Sequence, residues 1–188
     1  MEEKQKNMKT KWLAEGLELL GEKGAQGLTI DSILKRLKVT KGSFYHHFKN
    51  RQDFTRALLE YWQQEFTQEV IQHSKSGINI SDKLNRLLAV STAKVNVPLE
   101  IAIRAWAMND TLVKAYQENV DQQRRDYCIS LCEELAPNNE TGKIWGKILF
   151  AIYVGSQQML PRLNDVEVAN IFEATQVLFE TATISKIN

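Results

Sequence analysis

Between Gly27 and Arg51 the sequence reads GLTIDSILKRLKVTKGSFYHHFKNR, and this run constrains the fold more than any other. Ile30, Ile33, Leu34 and Leu37 recur three and four apart, which makes one apolar stripe on a short helix. Thr29 stands where its hydroxyl can accept an N–H of the first turn, and Asp31 puts negative charge at the positive end of the helix dipole. Lys38 and Val39 break the stripe. Thr40 then stands at the cap position of a second helix, with Phe44 and Phe48 four apart on its buried side. Two short helices joined by a tight turn are the expectation.

The residues off the second stripe are Lys41, Ser43, Tyr45, His46 and Lys49. Cations, hydroxyls and an imidazole on one outward face suit a helix laid in a DNA major groove. Gly42 has no side chain, so a base or phosphate can come close to the backbone there. The charge is placed accordingly. Residues 1–60 hold 12 Lys+Arg against 8 Asp+Glu, whereas residues 61–188 hold 12 against 15. The basic half carries the two-helix run, as binding to a polyanion requires.

The stretch Val39-Thr-Lys-Gly-Ser-Phe-Tyr-His-His-Phe-Lys49, followed by Asp53-Phe54, resembles the DNA-binding signature of the TetR family of bacterial transcriptional regulators. The resemblance covers residues 8 to 60. One departure is Lys38, where the family usually has glycine because the turn needs a positive φ; lysine adopts that conformation at a cost of about 1–2 kcal/mol. The resemblance implies a dimer on double-stranded operator DNA and a small-molecule effector of unknown identity. On this reading Lys41 and Ser43 reach base edges or nearby backbone. Tyr45, His46 and Lys49 contact phosphates, and Thr29 and Thr40 contribute from helix starts. Two-fold symmetry then implies a palindromic operator, and the expected role is repression.

The rest of the chain reads as helix throughout, with no period-two alternation and no hairpin signal. About nine helices are expected in an all-α fold. The first runs from Met8 to Lys23, with Gly24 as its stop, and Lys4, Lys6, Lys9 and Lys11 at its start form either a DNA-reaching arm or a solvated terminus. Asn50, with Asp53 three residues on, caps a long helix to Lys75. Its early apolar residues, Phe54, Ala57, Leu58 and Tyr61, and its later ones, Trp62, Phe66, Val70 and Ile71, face different cores. The domain division is therefore placed at residue 61: a helix-turn-helix DNA-binding domain over 1–61, and a ligand-binding and dimerisation domain over 62–188. Ser81 or Asp82 is expected to cap the next helix, to Val95, with Leu84, Leu87 and Leu88 inward. Pro98 suits a first turn, with Ile101, Ala105 and Met108 sharing a face. A helix from Asp110 to Leu135 comes next, polar from Glu118 to Asp126 and therefore exposed or crossing a cavity wall there. Helices over 141–160 and 165–184 are apolar over more than one face, which points to a partner subunit.

In the second half, Glu100 to Ala107, then Asp110, then Val120-Asp121 also resembles one branch of TetR-type C-terminal domains. Candidate ligand-lining residues are Trp62, Phe66, Trp106, Met108, Tyr116 and Tyr127, large walls with a few polar handles. Arg104 either pairs with Glu100 one turn back or holds an anionic ligand. The dimer face is expected to use Trp145, Ile148, Ile152, Gly155, Phe172 and Phe179, from the two helices that the family uses for dimerisation.

Other functions find little in the sequence. There is no glycine-rich phosphate loop, no nucleophile elbow and no His-x-x-x-His pair, so no enzyme and no cofactor are implied. Adjacent His46 and His47 point about 100° apart on a helix and cannot share a metal. Cys128 and Cys132 are the only cysteines; they read as small buried apolar residues in a reducing cytoplasm, with a redox pair as the other reading. The charged N-terminus does not read as a signal peptide, and no apolar run approaches ~18 residues, so no membrane is implied. The rival class is an all-α protein-interaction module with an unused helix-turn-helix.

Overall fold

The computed structural model describes residues 2–93 and 96–184, with the backbone alone for 2–7, 91–93, 180, 183 and 184. The described residues form ten α-helices and one π-helical turn, with no strand. They are α1 (Glu2–Gly27), α2 (Ile30–Leu37), α3 (Lys41–His47), α4 (Arg51–Gln63), the π turn (Gln64–Gln68), α5 (Glu69–Lys75), α6 (Ile80–Ala93), α7 (Val97–Ala107), α8 (Thr111–Leu135), α9 (Asn139–Gln158) and α10 (Asp165–Ile184). Because α4, the π turn and α5 succeed one another without a break, the helical path continues to Lys75, as the apolar pattern predicts.

Local chemistry sets most helix starts. Asn50, Asn96 and Asn138 each accept the N–H of the residue three positions on, and Asp110 accepts those of Leu112 and Val113. Pro98 sits in the first turn of α7, where its missing N–H costs nothing. The start of α6 corrects an expectation. Its cap is Asn79, which accepts from Asp82 N–H, while the Asp82 carboxylate accepts from Ile78 N–H. Ser81 and Asp82 lie inside the first turn instead. Within α1, Gly24 takes φ 66°, which interrupts the helix where the glycine stop is expected.

Two compact units result, Met1–Glu65 with Asn96–Glu118, and Phe66–Val95 with Asn119–Asn188. The expected division at residue 61 counted α7 and the start of α8 with the second half; by contact they go with the first.

In the first unit, Trp12, Leu19, Leu20, Ile33, Phe44, Leu58, Leu59 and Trp62 are fully buried. α7 packs on α1 at Gly21, where an added Cβ would lie 3.3 Å from the Leu99 backbone nitrogen. That approach buries Leu99, Ile103 and Ala107, spaced four apart. Ile101, Ala105 and Met108 share a face, as expected, and that face turns outward, with Met108 81% exposed. α7 is apolar nearly all round, so its own pattern does not choose a side.

In the second unit, α9 crosses α8 so closely that a Cβ on Gly146 would collide with the Ile129 backbone. Leu84, Leu87 and Leu88 on α6 are half-buried, while Val95 lies outside the described residues. Tyr127 donates to Ser74 Oγ at 2.8 Å, and Ser74 donates to the Lys83 carbonyl at 2.6 Å, fixing the α5–α6 turn. The polar middle of α8 holds a further correction. Arg124 is 8% exposed, its Nε donating to Thr67 Oγ1 at 3.0 Å and its Nη2 to the Phe66 carbonyl at 3.1 Å. No helix among the described residues is long and apolar enough to cross a membrane.

Candidate nucleic-acid interface

The local chain from Thr29 to Asp53 is built around one left-handed residue. Thr29 Oγ1 accepts Ser32 N–H at 3.1 Å and starts α2. Lys38 then takes φ 54° and ψ 44°, the positive φ at which glycine is usual, and Val39 N–H closes the turn on the Leu34 carbonyl at 3.2 Å. Thr40 occupies the cap position of α3 with extended backbone, but its hydroxyl makes no capping bond; only its carbonyl accepts, from Ser43 N–H at 3.0 Å. The expectation of a hydroxyl cap at Thr40 is therefore corrected.

An aromatic cluster sets the roll of α3. Trp12 of α1 meets Phe44 edge-on at 5.6 Å and Phe48 at 6.3 Å, and Phe48 meets Phe54 of α4 at 5.0 Å. With Phe44 and Phe48 pinned inward, the helix period turns Lys41, Gly42, Tyr45 and His46 outward; Ser43 is half-buried and Lys49 is exposed just past the helix end. Tyr45 is 52% exposed and stacks edge-on against Phe44 at 5.3 Å. A Cβ on Gly42 would meet only Thr40 Oγ1, at 3.8 Å, so no packing inside the chain demands glycine there. Lys49 gives its backbone N–H to Asp53 Oδ2 at 2.9 Å, which anchors the position and leaves its ammonium in solvent.

Neighbouring groups brace this face. Arg36 of α2 bridges Glu15 and Glu22 of α1. Arg51 Nη2 donates to the Leu28 carbonyl at 3.5 Å. Lys9 Nζ lies 5.7 Å from the Phe48 ring centroid, so one cation of the expected basic arm sits beside α3. The Lys4 and Lys6 side chains lie outside the described residues. Burial lowers the pKa of His47, and the nearby His46 and Lys9 lower it further.

The expected ligand-lining residues divide between the units. In the first, Trp62 is fully buried and donates from Nε1 to Glu100 Oε1 at 3.0 Å, Arg104 and Trp106 are half-buried, Met108 is exposed, and Tyr116 donates to Glu60 Oε1 at 3.1 Å. In the second, Phe66 is half-buried and Tyr127 is buried. Burial raises the pKa of both tyrosines. Of the expected dimer face, Ile148 and Gly155 are exposed and Ile152 and Phe172 half-buried, while Trp145 stacks flat on Phe179 at 4.5 Å within the chain. Cys128 and Cys132 are free and buried; burial pushes their thiols up to about 12 and about 11, far from a reactive thiolate. Sequence reasoning missed Arg124, whose partners are 57 and 58 residues away, and Asn79, whose Asn-x-x-Asp spacing carried the signal.

Known proteins resemble the chain in the same places. The profile described as bacterial regulatory proteins, tetR family, matches residues 13–58. The transcriptional regulator AcuR of Cereibacter sphaeroides is 56% identical over 45 residues, 24% of this chain and 20% of AcuR, so that match spans only a fifth of the relative. The HTH-type transcriptional repressor NemR of Escherichia coli K12 is 23% identical over 164 residues, 77% of this chain and 79% of NemR. The structure of AibR in complex with isovaleryl coenzyme A and operator DNA is similar at a TM-score of 0.67 and 16% identity, over 92% of this chain and 98% of AibR.

Proposed function

Because the chain belongs to the TetR family of bacterial regulatory proteins, we propose that it is a cytoplasmic, dimeric, ligand-responsive repressor that lays α3 in the major groove of a palindromic operator. The observation that carries this reading is the outward face of α3. Lys41, Tyr45 and His46 project from a helix whose roll is locked by Trp12, Phe44 and Phe48, with Lys49 at its end. Lys41 and Ser43 reach base edges or adjacent backbone. Tyr45, His46 and Lys49 meet phosphates, Thr29 and Thr40 add hydroxyls from the helix starts, and open space at Gly42 admits a close approach.

Other features support the dimer and the effector. Ile144 and Ile148 on α9 and Val177 and Leu178 on α10 are exposed, an apolar surface that a second copy would cover. A second copy supplies the second α3 that a palindrome needs, with half-sites spaced by whole helical turns. The relatives are named as regulators rather than enzymes, NemR as a repressor, and AibR holds both a small molecule and operator DNA. Here the effector acts by binding one conformation more tightly than the other, since equal affinity would shift nothing.

Selection of bound duplexes from a random pool, repeated with candidate small molecules, tests this directly. A palindromic consensus whose binding weakens with one class of molecule is the expected result. Failure to bind any duplex in a salt-dependent way would instead favour an all-α protein-interaction module.

A further inference from the structure

The helical stretch from Arg51 to Lys75 contains the only π turn among the described residues, at Gln64–Gln68. A π turn holds about one residue more than an α turn, and its wider hydrogen bonds make it the less favoured form unless something compensates. Nothing in QEFTQ forces it: there is no proline and no glycine in the turn. The compensation comes from α8. Arg124 Nε reaches the Thr67 hydroxyl at 3.0 Å, and its Nη2 reaches the Phe66 carbonyl at 3.1 Å. Both acceptors belong to the turn itself. Thr67 is 1% exposed, so its hydroxyl has no ready exchange with water. The guanidinium carbon lies 5.8 Å from the Tyr153 ring centroid of α9, a cation–π contact that steadies its position.

We propose that the π turn Gln64–Gln68 is a register switch and that Arg124 is the catch that holds it in the π form. The alternative is an α turn through the same residues. Removing one residue from a turn rotates the downstream helix by about 100° of phase. Thr67 and Phe66 would then leave the guanidinium, so the two Arg124 bonds distinguish the two forms. Only an interaction that differs between the forms can bias them, and these bonds do. Any molecule that moves Tyr153 or draws on the guanidinium would weaken the catch and release the turn. The coupling of this switch to operator release rests on the regulator reading above; the two forms of the turn do not.

The test uses the full chain with Arg124→Met, which keeps the side-chain bulk and removes the donors, and Thr67→Val. Amide hydrogen exchange is read at residues 64–72, with residues 55–59 of α4 as the internal reference. Arg124→Met is expected to change exchange in the turn by about tenfold or more while the reference stays constant, and Thr67→Val by less. Unchanged exchange in the turn of Arg124→Met would overturn the catch. A chain with exposed Gln68 deleted, which removes the extra residue, supplies an independent cycle. There Arg124→Met should lower Tm far less than in the full chain, and an equal loss in both backgrounds would also overturn the proposal. Operator affinity is measured on the same variants. A turn that responds while operator binding never does would leave the catch standing and remove its regulatory role; no operator binding by any variant would sink the regulator reading alone.

Discussion

Trp62 of α4 donates its indole N–H to the Glu100 carboxylate of α7 at 3.0 Å, and both side chains are shut away from water, Glu100 being 3% exposed. The bond ties the end of α4 to the element packed on α1. Trp62→Phe removes this donor and part of the packing around it. The expected loss is about 1–3 kcal/mol, read as a lower midpoint in urea unfolding at an unchanged slope. A midpoint equal to that of the native chain would mean that the bond contributes nothing net.

Lys38 is the non-glycine residue at positive φ among the described residues, held there by the turn's own backbone bonds. Lys38→Gly should raise stability by up to about 1 kcal/mol, since relief of the left-handed strain slightly exceeds the added entropy of an unfolded glycine. Thermal unfolding reads this as an upward shift in Tm. A downward shift would place the strain elsewhere.

The Lys49 ammonium is exposed, while its backbone N–H is held by Asp53. Lys49→Ala should therefore leave the fold intact, weaken binding to all duplexes alike, and reduce the slope of log K against log salt by about one unit. Binding isotherms at several salt concentrations measure this. An unchanged slope would exclude a phosphate contact by Lys49.

His47 makes the α3 region sensitive to acid. Its folded pKa is lowered, first by burial and then by His46 and Lys9, so the unfolded chain binds this proton more readily than the folded one. Stability is then fully present above the unfolded value, about 6.5, and declines as pH falls from there through the folded pKa. His47→Gln should flatten this part of the stability–pH curve below about pH 6.5. A curve of the same slope in the variant would remove His47 as its origin.

The segment from Thr29 to Asp53 was legible because its determinants are local. The caps at Thr29 and Asn50 act over three residues, the Ile33, Phe44 and Phe48 positions obey helix period, and Lys38 falls where the spacing of two helices demands a sharp turn. Thr40 shows the limit of that logic: a suitable residue stands at the cap position, yet its hydroxyl makes no capping bond. The ligand-facing expectations were weaker for a physical reason. Which large apolar side chain is covered depends on what packs against it and not on local pattern: Trp62, near the end of α4, is fully buried, while Met108, just past the end of α7, is 81% exposed.

Sequence alone determined the all-α class, the starts of α2, α3, α4, α8 and α10, and the cationic outward face of α3, because each depends on periodicity or on partners within one helical turn. Tertiary structure decided which face of α7 went inward, through the close approach at Gly21. It also decided the fate of the polar middle of α8. Arg124 looked like a solvated residue until α8 met the π turn, and a hydrogen bond between residues 57 positions apart leaves no trace in local pattern.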